Sequence, residues 1–83
     1  MDDYEKCVAA HYIGHLAQTA AHALFWHRTA LDHANHADAT LVESFMPSLY
    51  ANLGRAYEQT GDTAQAKHFY DLAAALGLVH EEE

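Results

Sequence analysis

The stretch AAHYIGHL, residues 9–16, carries His11 and His15 four positions apart. On a helix that spacing stacks two imidazoles on one face, one turn apart, where their ring nitrogens can form half of a zinc or nickel site. His33, His36 and Asp38 are the downstream side chains able to complete such a set. Tyr12 follows His11 where a zinc protease needs its glutamate base, so metal-assisted hydrolysis is not expected. His22 and His27 are five apart and diverge around a helix. Solvated histidines that touch a partner are therefore the first reading. A metal set of His11, His15, His33 and His36 is the alternative.

Titration is the second chemistry open to these rings. The chain of 83 residues has eight His, four Lys or Arg and 12 Asp or Glu, giving a formal net charge of -8 with the histidines neutral. Protonating all eight would bring that charge to about zero, with a midpoint near pH 6.5 for unperturbed rings. A pH-responsive sensor thus stands beside the metal alternative, with self-association that strengthens or changes in mildly acidic solution.

No other constellation supports catalysis. Ser44 and Ser48 lack a glycine-rich elbow, no phosphate-binding loop occurs, and neither an enzyme nor a cofactor is expected. Cys7 is alone, so an internal disulfide is excluded, and with only Lys6 as a basic neighbour it reads as a small helix-face residue. The negative charge repels phosphate backbones and anionic lipid, which argues against nucleic-acid and membrane partners. The apolar run from Leu72 to Val79 falls far short of the roughly 20 residues of a membrane span. MDDYEKC is acidic where a secretory signal is basic and then hydrophobic, so a soluble, cytoplasmic protein is expected.

The elements that must position these rings are helical. Half the residues are apolar (51%), Pro occurs once and Gly four times, and apolar positions recur at helical spacing, so the class is all-α in a single small domain. One helix is expected over residues 3–18, with Val8, Ile13 and Leu16 as its larger apolar groups. A second covers about 20–36, with Ala23, Leu24, His27, Ala30, Leu31 and Ala34 on one face and a C-terminal end that frays gradually through HANHADA. The third carries Met46, Leu49, Tyr50, Leu53, Ala56 and Tyr57. It is expected to start either at Pro47, which fits a first helical turn, or, the preferred reading, near Ala39 with a bend at Pro47, because ATLVESF holds no turn residue except Ser44. Asp62 caps the fourth, with Gln65 three residues on, and Gly61 closes the helix before it in a left-handed conformation. Ala66, Phe69, Tyr70, Ala73 and Leu76 make its apolar stripe, and Gly77 ends it with Leu78 free to fold back.

The two halves of the chain match each other. ALFWHRTAL, from Ala23, lies over AKHFYDLAA, from Ala66, so that Trp26 answers Phe69, His27 answers Tyr70 and Ala30 answers Ala73. In the preceding helices YIGHLA lies over NLGRAY, and Gly14 answers Gly54. Over residues 47–78 the sequence resembles the tetratricopeptide repeat. Tyr50, Leu53-Gly54, Tyr57, Gly61-Asp62, Ala66, Tyr70 and Ala73 fall at that family's spacing. Small Gly54 and Ala66 let two helices approach while Tyr57 and Tyr70 fill the space beyond them. Residues 7–36 form a degenerate first repeat. Gly14 to Ala23 spans nine residues where Gly54 to Ala66 spans twelve, and Ala23 to Ala66 spans 43 in place of the family's usual 34. The chain divides into a first repeat over about 3–36, a junction at 37–46, a second repeat over about 47–78 and an acidic tail at 80–83.

That resemblance implies four helices in two tandem hairpins, an α-α superhelix without chemistry of its own, whose concave face holds a peptide or protein. The groove would be lined by Ser48, Ala51, Asn52, Arg55 and Glu58 from the second repeat and by His11 and His15 from the first. Asn52 matches the asparagine that many such grooves use to hold a ligand backbone. The lysines of a carboxylate clamp are absent, so an acidic C-terminal peptide is not expected. Trp26 is assigned to the core by analogy with Phe69, leaving Phe25 either on a neighbouring helix or open to a partner. Two repeats are fewer than normally stand alone. The last hairpin is therefore expected to cover an apolar flank by homodimerisation, end to end or by exchange through residues 35–46, or else to meet the next repeat of a longer protein.

Overall fold

The computed structural model describes residues 2–77, and those residues are helical with no strand among them. The order is α1 (Asp3–Leu16), α2 (Ala20–His36), α3 (Ala39–Val42), α4 (Met46–Gln59) and α5 (Thr63–Ala75). α1 packs on α2, α4 on α5, and α2 on α4. Leu78, Val79 and the acidic tail at 80–83 lie outside the described residues.

Four of the five helices among the described residues, α1, α2, α3 and α5, start where a side chain caps them. Asp2 accepts from the Glu5 amide at 2.8 Å while the Glu5 carboxylate accepts from the Asp2 amide at 3.1 Å, a reciprocal box that satisfies two orphan donors of α1. α1 stops at Leu16, and the link at 17–19 needs no glycine. Ala17 is extended, and Thr19 accepts from the His22 amide at 3.1 Å to open α2. The second pair turns differently. Gly61 at φ +90° is left-handed, its amide bonds Glu58 O, and the Asp62 amide reaches back to Tyr57 O at 2.9 Å, which together form a Schellman closure. Asp62 then accepts from the Gln65 amide at 3.1 Å to start α5.

Two expectations about the junction are corrected. α2 stops cleanly at His36, without fraying. Ala37 turns extended (φ -86°, ψ 170°) because Asp38 leaves the helix to accept from the Thr40 amide and hydroxyl. The expected bent helix from Ala39 is two helices. Pro47 has no N–H, and its ring clashes with the carbonyl four residues back, so continuous helical bonding cannot pass through residues 43–47. Phe45 instead bonds Val42 O at 2.8 Å, and α4 restarts at Met46 with Pro47 in its first turn and no side-chain cap.

The core is built from small groups and two leucines. Cys7, Ala10, Ala30, Ala34, Val42 and Leu49 form one buried cluster, flanked by half-buried Tyr4, Trp26, Phe45 and Met46. Leu53, Ala56, Ala66 and Ala73 are buried beside them. Burial pushes the Cys7 thiol up, which suits a packing role. Trp26 thus lies against the core, and Phe25 is open to solvent, packed edge-on to Trp26.

Exposed apolar side chains stand on α1 as well as at the end of the last hairpin, where Leu76 is open to solvent and Leu78 and Val79 lie outside the described residues. Tyr12, Ile13 and Leu16 are exposed on the outer face of α1, with Leu16 at 79%. The outer face of α5 carries Lys67, His68 and Asp71, with Lys67 and Asp71 paired at 2.7 Å. Leu76, expected in the α5 stripe, is exposed because the helix has ended beneath it.

Candidate functional site

Three imidazoles meet where α1, α2 and α4 come together. The i, i+4 spacing turns His11 and His15 of α1 toward the same point on α4, and that point is Asn52. Its Nδ2 lies 3.5 Å from both His11 Nδ1 and His15 Nε2, while Asn52 Oδ1 accepts from Arg55 Nη1 at 3.3 Å. His11 and His15 are edge-on with ring centroids 4.5 Å apart, and His27 of α2 stands 5.3 Å from His15 and 6.2 Å from His11.

His27 is in this cluster because of Gly14. A Cβ on Gly14 would fall 2.7 Å from the imidazole Cε1, so only glycine lets the ring lie against α1. Gly54 stands in the same relation to Tyr70, where a Cβ would fall 2.8 Å from the phenol ring. His27 is 5% exposed, and its Nδ1 is sealed with no hydrogen-bond partner among the described residues. Burial, then the His15, His11 and Arg55 charges, lower its pKa to about 4. Burial followed by the His15 charge also lowers His11. A small cleft of about 160 Å³ opens beside the cluster, with His15, His27, Asn52 and Arg55 in its wall.

The residues expected in a common groove separate into two groups. His11, His15, Asn52 and Arg55 come together. Ser48 is exposed above them without joining, and Glu58 is engaged with α5, accepting from the Tyr70 hydroxyl at 2.9 Å. Asn52 is 7% exposed, so it tethers α4 to α1 and is not an open, solvated groove residue.

The alternative metal set does not assemble. His33 Nδ1 donates to Asp3 Oδ1 at 2.9 Å at the start of α1, about 12 Å along the helix axis from His11 at 1.5 Å per residue. That bond holds the Asp3 carboxyl below its ordinary value. His36 Nδ1 donates to Asp32 O, which raises the His36 pKa. Among the described residues no three His, Cys, Asp or Glu side chains form a group able to hold a metal ion.

Two features escaped the sequence reading. His27 as the third imidazole was signalled by its alignment with Tyr70, since a residue facing Gly14 must also approach the histidines flanking Gly14. A groove of about 620 Å³ runs between α2 and the second pair, with Phe25, Arg28, Leu31, Tyr57 and Phe69 in its wall. Its floor is set by the stacked rings of Tyr57 and Phe69, 5.6 Å apart and 6° from parallel. No helix among the described residues is long and apolar enough to cross a membrane. No protein-family model, curated protein or solved structure matches the chain.

Proposed function

We propose that the chain is a tetratricopeptide-like interaction module, in place of an enzyme, that holds a protein or peptide partner against the face shared by α1 and α4. The observation that carries this reading is the pair of equivalent close approaches, Gly14 on His27 and Gly54 on Tyr70. They support two stacked repeats, and stacking of that kind sets the first helices of both repeats side by side as a binding surface. On that surface Arg55, His15 and Ser48 are exposed and offer donors, and Asn52 fixes the spacing between the two helices.

Selection of random peptides on the folded protein tests the reading. The expected outcome is a set of binders whose amide shift changes map to His11, His15, Ser48 and Arg55. Their affinity falls about tenfold or more in Arg55→Ala and is unchanged in Lys67→Ala on the outer face of α5. Binders that map to α5 or to the Phe25 groove would overturn it. We further propose a homodimer joined through the exposed Tyr12, Ile13 and Leu16 of α1. Sedimentation should then give twice the 9.2 kDa chain mass, and Leu16→Glu should give the monomer.

A further inference from the structure

We propose that the His11, His15 and His27 cluster is an acid-sensitive latch at the seam of α1, α2 and α4, closed while its rings are neutral and opened by protons. This device stands on the geometry of the seam and does not depend on the partner-binding reading.

A protonated imidazole must donate from both ring nitrogens. His27 has no place for the second donation, because Nδ1 is sealed inside the protein without an acceptor among the described residues. Gly14 of α1 lies directly against the ring, where an added Cβ would fall 2.7 Å from Cε1. The charged groups around it have the wrong sign for an imidazolium. From α1 it faces His11 and His15, and from α4 it faces Arg55. Arg28, the neighbour of His27 on α2, lies in the wall of the Phe25 groove. Glu58, one turn beyond Arg55, is engaged by Tyr70 of α5, and among the described residues no carboxylate acts on the His27 ring.

The outer two rings meet α4 through Asn52. Asn52 Nδ2 is a donor, and it lies 3.5 Å from His11 Nδ1 and His15 Nε2. Those contacts attract only when the facing ring nitrogens are bare acceptors. Protonating either ring places N–H against N–H across the α1–α4 seam. A proton on His27 then requires the ring to leave the Gly14 slot, which separates α1 from α2. Acid therefore undoes the first helix pair while the Gly54–Tyr70 contact, neutral throughout, keeps the second.

The test is urea unfolding from pH 7.5 to 5, read by Trp26 fluorescence, together with an imidazole nitrogen NMR titration of the intact chain. The wild-type folding constant should fall by about tenfold or more over that range, as linkage requires for a base that binds its proton better when unfolded. His27→Tyr, the residue type already accommodated beside Gly54, should remove about tenfold of that fall. The latch is overturned if His27→Tyr keeps the wild-type profile. It is equally overturned if the His27 ring titrates near pH 6.5 with its Gly14 contacts intact, a readout on the wild type that decides the matter even where the variant does not fold.

Discussion

The two helix pairs use one steric device with two chemistries. In each, a glycine on the first helix admits an aromatic ring from the second, His27 against Gly14 and Tyr70 against Gly54. The phenol of Tyr70 points its polar atom outward to Glu58, and burial followed by that hydrogen bond raises its pKa, so it stays neutral across the physiological range. The imidazole of His27 keeps a polar atom inside without a partner among the described residues. The same slot is thus inert to pH in one pair and sensitive to it in the other, and ring chemistry, not shape, makes the difference.

The comparison breaks most directly at the glycines. Gly14→Val and Gly54→Val should each cost about 3 kcal/mol by overpacking, measured by urea unfolding, since both rings already lie under 3 Å from an added Cβ. Equal losses would show that the two slots are sterically alike. Acid should separate them. His27 has a folded pKa of about 4 against 6.5 unfolded, so its contribution is complete above pH 6.5 and is lost as pH falls toward 4. The loss is about 2–3 kcal/mol over that window, read as stability against pH. His36 works in the opposite direction. Its raised pKa favours the folded state as pH falls, so subtracting the His27→Tyr profile isolates the latch.

The turns differ as well, with smaller effects. Asp62→Ala should cost about 1 kcal/mol in thermal or urea unfolding, and Thr19→Ala about the same, each through one amide left without its cap. The smallest change is Tyr70→Phe. Removing its exposed hydroxyl bond should cost about 0.5 kcal/mol and leave the pH profile between 5 and 8 unchanged. A pH-dependent loss there would contradict the contrast between the pairs.

The sequence reveals these features unevenly, for physical reasons. Glycine and aspartate mark the α4–α5 turn because a left-handed residue and a cap each demand particular side chains, so Gly61 and Asp62 are legible. The relation of Gly14 to Gly54 is legible by self-comparison, because close approach of two helices also demands a particular residue. The break at residues 43–45 is not, since Pro47 acts on a carbonyl four residues before it and leaves no mark in ATLVESF. The site is half legible. Spacing groups His11 with His15 and places Asn52 and Arg55 on one face. Nothing local shows that Asn52 is buried between helices, or that His33 and His36 are held by Asp3 and the Asp32 carbonyl.

One detail of the junction bears on how its amides exchange with solvent. α4 begins without a side-chain cap, at a proline-bearing turn that separates it from the single turn of α3. Its leading amides therefore have no side-chain acceptor of their own. In a hydrogen-exchange experiment the first amides of α4 should take up deuterium before the capped first amides of α1, α2 and α5.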